Sequence, residues 1–280
     1  MSGTLSGIHI VSTAVNVPGP VAVGMLRDMG ATVDKVEPPT GDLLATAAPD
    51  WYAALCAGID VVRVDLKSSQ DREALDELLA HADVLVTSSR PASLERLGLA
   101  RDDLRHRYPK LGHVAIVGYA DPRQDLAGHD LTYQANAGLV LPPVLPRTLI
   151  ADLAGAQRAV IAALELLFVR ERTGDGGYVE VALADGARLF AEPVRHGLTE
   201  PTGPLGGADA AYNLFPTRDG WLAVAALEPQ FRAALARELS VEVNDRAALA
   251  RVLSERSALD WERWAAALGL PVAAVRRSSV

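Results

Sequence analysis

The feature that most constrains this chain is the alternation of short apolar runs with amphipathic stretches through its first 118 residues. Runs at 8–12, 32–36, 61–65, 83–87 and 114–118 read as strands, and the stretches 21–29, 71–81 and 102–107 between them read as helices. Leu75, Leu78 and Leu79 share one face of the second helix. The strands are near-continuous apolar runs, the pattern of a parallel sheet covered on both faces. The expected fold is therefore α/β, with a doubly wound, Rossmann-like parallel sheet. Pro20 suits a helix start, where its missing N–H costs nothing, and Gly30 ends that helix. No Gly-x-Gly-x-x-Gly follows the first strand, so dinucleotide binding is set aside.

The stretch 152–170 carries the strongest helical signal, with Val160, Leu164, Leu167 and Phe168 at helical spacing. A strand at 178–183 and a helix at 184–196 follow. Residues 197–212 are rich in Gly and Pro and read as a linker. Beyond them a strand at 221–227 and helices near 229–239, 245–255 and 259–268 predict a smaller α/β unit. The expected organisation is a large domain at 1–196, a linker at 197–212 and a small domain at 213–280. A chain of 280 residues is long enough to bury both cores.

Charge and cysteine usage narrow the function classes. The net charge is −8 with no run of Lys or Arg, which argues against a nucleic-acid partner. No apolar run approaches about 18 residues, so no membrane span is expected. The first residues lack the basic and apolar regions of a secretory signal. The single cysteine, Cys56, permits no intrachain disulfide and is read as a small buried hydrophobe. A cytoplasmic enzyme is the expectation.

Several segments then resemble one family. They are Leu5–Ile10 with Pro18-Gly19-Pro20, Met29-Gly30-Ala31 leading to Lys35-Val36-Glu37-Pro38-Pro39, Asp65-Leu66-Lys67, Ala82-Asp83-Val84-Leu85, and Arg90-Pro91 with Glu95-Arg96-Leu97-Gly98-Leu99. Each is weak alone; in this order they resemble the class III CoA-transferases, also called the CaiB/BaiF type. Gly128-His129-Asp130 with Tyr133, Gly206-Gly207-Ala208, Asp219-Gly220 and Leu227-Glu228-Pro229 resemble the α-methylacyl-CoA racemase branch. Ile150-Ala151-Asp152 matches the position of the family's catalytic aspartate.

The resemblance implies a reaction on a coenzyme A thioester as substrate, with no permanently bound cofactor and no metal. A racemase or epimerase needs two groups flanking the carbon α to the thioester carbonyl, one removing a proton and one returning it. His129 and Asp152 are the expected pair, with Asp130 and Glu228 as supporting acids that orient His129. Asp152 falls in the first turn of a helix, whose dipole favours its carboxylate, and whose free N–H groups would meet the enolate oxygen. Tyr133, Lys35, Lys67 and Arg90 are the expected substrate- and CoA-binding residues, with Arg63 a further candidate for a phosphate. The family's intertwined homodimer is expected as the quaternary state.

Two other readings stay open. In a CoA transferase Asp152 would be the nucleophile, forming an anhydride and then an enzyme thioester without need of His129. A repurposed member would be an isomerase, a cyclase or a binding protein that no longer uses CoA. That reading draws on the family's cation cluster, replaced here by the uncharged stretch 55–59 before Asp60, and on a chain that stops soon after 271–275 where the family continues. Loss of such cations removes charge-assisted contacts worth roughly 1.5–3 kcal/mol each.

Overall fold

A computed structural model describes residues 3–276. The chain divides between Ala191 and Glu192 into two compact units. The first contains β1 (His9–Ser12), α1 (Pro18–Asp28), β2 (Thr32–Glu37), α2 (Leu43–Ala47), α3 (Pro49–Leu55), β3 (Asp60–Arg63), α4 (Ser69–His81), β4 (Val84–Thr87), α5 (Pro91–Arg96), α6 (Arg101–Arg107), β5 (Gly112–Val117), α7 (Asp130–Ala137), α8 (Ile150–Thr173), β6 (Gly177–Ala182) and α9 (Leu183–Phe190). The second contains α10 (Glu192–Arg195), β7 (Tyr212–Pro216), β8 (Trp221–Ala225), α11 (Pro229–Leu239), α12 (Arg246–Leu253), α13 (Ala258–Ala267) and β9 (Val272–Ala274).

The six strands of the first unit form one sheet in the order β3-β2-β1-β4-β5-β6, with every neighbouring pair parallel. This is the doubly wound order with its reversal point between β1 and β4. Every residue of β4 and β5 is buried, whereas the edge strand β3 is exposed throughout. Successive side chains alternate faces, as strand geometry requires. Ile10, Val84, Val86 and Ile116 join Ala156, Ala159 and Ala163 of α8 on one side. Val11 and Leu85 join Leu75, Leu79 and Leu104 on the other.

Small residues let α8 lie close to its neighbours. A Cβ on Gly155 would come 2.1 Å from Leu183 Cδ2, so glycine at this position leaves the space that the Leu183 side chain fills against α8. The helix expected at 184–196 is in fact two. Pro193 cannot donate to the preceding turn, and a new short helix begins at Glu192. The unit boundary accordingly falls at 191/192 rather than at the expected 196.

In the second unit β7, β8 and β9 form an antiparallel sheet. It buries Phe215, Leu222, Leu235, Leu249 and Trp261 together. Asp245 and Ser257 cap α12 and α13 by accepting from Ala248 N and Asp260 N. The stretch 197–212 is tied by its own turns, including Gly203 N to Glu200 O and Leu205 N to Leu198 O. Its last residue opens β7. Among the described residues no helix is long and apolar enough to cross a membrane.

Candidate active site

Ligands of open parallel sheets bind beyond the carboxyl ends of the strands, at the reversal point. Here the segments after β1, β4 and β5 meet the starts of α7, α8 and α9 around a cavity of about 240 Å³. Its walls carry Asn16, Arg90, His129, Tyr133 and Asp152. Val15 N donates to Ser88 Oγ at 2.9 Å, joining the segments after β1 and β4. A second cavity of about 240 Å³ shares Val15 with the first and has Pro38, Leu97, Ser89 and Lys67 in its wall.

His129 and Asp152, 23 residues apart in sequence, therefore open into one space. His129 is the residue before α7; Thr132 Oγ1 accepts from its N–H at 3.0 Å and fixes the backbone. Among the described residues the Asp152 carboxyl has no hydrogen-bond partner, while the His129 side chain meets the Thr132 N–H in a capping box at the start of α7. Burial, with the charge of Asp130 second, pushes the Asp152 carboxyl up to about 6. These two effects outweigh the helix dipole, which was expected to favour the carboxylate.

Asp130 has a different task from the one expected. Its Oδ1 accepts from Ala151 N at 2.8 Å and Asp152 N at 3.1 Å, and its Oδ2 accepts from Gln134 Nε2 at 2.5 Å. Gln134 also donates to Thr148 O at 3.0 Å. Asp130 thus caps α8 from outside that helix instead of orienting His129. The N–H groups of residues 151 and 152, expected to be free for an enolate oxygen, are already satisfied.

Tyr133 offers another donor. Its ring packs edge-on against Tyr119, with centroids 5.1 Å apart. Its hydroxyl sits where two glycines leave room: a Cβ on Gly118 would approach Oη to 2.3 Å, and one on Gly128 to 2.7 Å. Burial first, then Tyr119 and Asp152, push this phenol up to about 12, so it stays protonated near neutrality. Arg90 lines the same cavity, and Lys67 lines the adjoining one. Both are exposed, and neither forms an ion pair with a described carboxylate.

Lys35 is a correction. Its side chain is 0% exposed and its Nζ pairs with Glu37 and, at 2.9 Å, with Asp42. Tyr52 also donates to Glu37. No phosphate reaches this ammonium; two carboxylates hold it inside the corner formed by β2, α2 and α3. Asp42 in turn caps α2 at Leu44 N and accepts from Asn16 N at 2.9 Å, fixing Asn16 with φ +65° in the cavity wall. Glu228 lies in the other unit, exposed, as the residue before α11, and its side chain does not cap that helix. Asn16 and Asp42 were missed from sequence. The available signal was that Asn16 lies in the segment between the first strand and the first helix, at the reversal point.

Residues 5–279 match the family model described as CoA-transferase family III. The succinyl-CoA:mesaconate CoA-transferase of Haloarcula hispanica is 28% identical over 260 residues, covering 80% of this chain and 64% of that protein. The α-methylacyl-CoA racemase of Mus musculus is 30% identical over 277 residues, covering 92% and 68%. The crystal structure of the Rv3272 protein of Mycobacterium tuberculosis superposes with a TM-score of 0.86 at 26% identity, covering 99% of this chain and 87% of that one. The chain thus spans about two thirds of the length of those two curated relatives.

Proposed function

Because the chain belongs to CoA-transferase family III, we propose that its first unit holds the reaction centre of an acyl-CoA racemase or epimerase. The reaction moves a proton at the carbon α to the thioester carbonyl, with His129 and Asp152 as the acid–base pair. The observation that carries this reading is that the two side chains line one cavity, where the Asp152 carboxyl has no described hydrogen-bond partner. The Asp152 carboxyl, raised to about 6, can gain or lose a proton near neutrality, and His129 supplies the second acid–base group that a two-way proton transfer requires.

In one direction the neutral imidazole of His129 takes the α-proton and the protonated carboxyl of Asp152 delivers one to the opposite face. The reverse direction starts from imidazolium and carboxylate, so the enzyme's proton count is conserved over each turnover. The neutral Tyr133 hydroxyl donates to the carbonyl oxygen as negative charge builds there. Arg90 and Lys67 attract the phosphates of the thioester, and the apolar second cavity takes part of its arm. The mouse relative bears the name of this reaction.

A CoA-transferase reading is favoured by the open Asp152 carboxyl, which is also suited to attack an acyl-CoA, and by the name of the haloarchaeal relative. The two readings separate on one pair of measurements. Deuterium incorporation at the α-carbon of a 2-methylacyl-CoA, abolished in His129→Ala, supports the racemase. Hydroxylamine trapping of an acyl group on Asp152, retained in His129→Ala, supports the transferase.

A further inference from the structure

Asn16 differs from the rest of the reaction cavity's wall in its backbone. Its φ of +65° lies in the left-handed region, which among the described non-glycine residues only Ser240 shares. Asparagine tolerates that region better than most side chains, and a residue held there beside a cleft marks a place where orientation matters. The hold comes from inside the protein. The Asn16 N–H donates to Asp42 Oδ1 at 2.9 Å, and the buried Asp42 carboxylate is fixed in turn by Lys35 Nζ at 2.9 Å. The preceding N–H, that of Val15, is tied to Ser88 Oγ at 2.9 Å. The backbone is thus anchored, while the Asn16 carboxamide has no hydrogen-bond partner among the described residues.

Its position says what the carboxamide meets. Val15 lines both the reaction cavity and the adjoining one, and Asn16 follows it on the reaction side. A thioester with its acyl group against His129 and Asp152, and its arm in the adjoining cavity, crosses at Val15 and Asn16. Two methylenes beyond its sulfur, the arm of a CoA thioester carries a secondary amide. An amide taken out of water needs partners. Other polar groups of the wall are committed. Ser88 holds Val15, Gln124 Nε2 donates to Asp121 Oδ1 at 3.0 Å, and Tyr133, His129 and Asp152 serve the reacting atoms. A neutral carboxamide both donates and accepts, so it can serve either edge of an amide.

We propose that Asn16 is a substrate-positioning residue whose carboxamide hydrogen-bonds the first amide of the thioester's arm. The bond sets how far the acyl group reaches, and so places its α-carbon between His129 and Asp152. The proposal rests on the reading of this cavity as a thioester site. It adds a preference within that class, for thioesters whose arm carries an amide at this distance over simple alkyl thioesters.

The test is calorimetric and needs no turnover. Binding of 2-methylbutanoyl-CoA to the full chain is measured first. Two short thioesters of the same acyl group then compete with it: the N-acetylcysteamine thioester, which keeps the amide, and the S-pentyl thioester, which replaces it with methylenes at equal length. The variant is Asn16→Gly, because glycine adopts φ +65° freely and keeps the N–H that Asp42 accepts. Asn16→Gly is expected to weaken the amide-bearing thioester and 2-methylbutanoyl-CoA about three- to tenfold, and to leave the S-pentyl thioester unchanged. A merely structural role for Asn16 weakens both short thioesters alike. Three results overturn the proposal: equal effects on the two short thioesters, undiminished binding of the amide-bearing one in the folded variant, or no binding of 2-methylbutanoyl-CoA by the parent. The expected pattern of binding without α-proton exchange overturns the racemase reading alone and leaves the role of Asn16 standing.

Discussion

Asp130 Oδ1 accepts the backbone N–H of Asp152 at 3.1 Å, so one acid caps the helix that presents the other. The contact fixes the first turn of α8, and the charge that makes it also raises the Asp152 carboxyl. Asp130→Asn keeps an acceptor oxygen while removing the charge. The Asp152 pKa is then expected to fall, moving to lower pH the acidic limb of kcat/KM in the direction for which its carboxylate is the base. Asp130→Ala removes the cap as well and is expected to cost about 1 kcal/mol of stability. An acidic limb that stays in place in Asp130→Asn contradicts this coupling.

Asp152 is expected to weaken the fold it belongs to. Its folded pKa of about 6 lies above its ordinary value of 3.8. The native state therefore binds more protons between those values, and stability falls as pH rises through that window. Asp152→Asn, isosteric and uncharged, is expected to be more stable than the parent by on the order of 1–3 kcal/mol above pH 6. The difference should shrink as pH falls towards 4. Urea midpoints measured at pH 4.5 and 7.5 check both the sign and the window.

Tyr133 connects two glycines to catalysis. Tyr133→Phe keeps the ring and removes the donor, and is expected to lower kcat about 10²-fold with little change in KM. Gly118→Ala places a methyl group where the hydroxyl lies and is expected to lose activity comparably through a displaced ring. Steady-state kinetics on a 2-methylacyl-CoA, with the near-ultraviolet circular dichroism of the tyrosines as a packing control, distinguishes a lost donor from a lost fold.

Two lysines of the opening segment should respond in opposite ways. Lys35→Met leaves Glu37 and Asp42 buried without their cation and is expected to destabilise by about 3–5 kcal/mol. Lys67→Met lies on an exposed rim and is expected to raise KM for the thioester severalfold, more at low salt, with an unchanged melting temperature. A thermal melt and a salt-dependent KM series separate the two roles.

Much of the first unit was legible because its strands are apolar on both faces and are punctuated by Gly and Pro. β4 and β5 are buried at every position, as their composition demands. The edge strand β3 was found from pattern alone, although all four of its residues are exposed. Short elements escaped notice: α5 has six residues and β9 three, too few to show a period.

Of the candidate site, the residue types of His129 and Asp152 were enough to single them out, and the structure places both in the wall of one cavity. The site was illegible where burial depends on partners distant in sequence. Lys35 sits in a strand of mixed polarity, and its carboxylate partners are Glu37 on that same strand and Asp42 at the start of α2, with Tyr52 of α3 held on Glu37. The capping of α8 by Asp130 spans 22 residues and left no local trace.

The measurement that bears most directly on the central claim is α-proton exchange of an enantiopure 2-methylacyl-CoA in heavy water, read by mass spectrometry and chiral analysis. Deuterium should enter the α-position together with loss of optical purity, and both should vanish in His129→Ala and in Asp152→Asn. Undiminished exchange in either folded variant, or acyl transfer without any exchange in the parent, would contradict the pairing of His129 with Asp152.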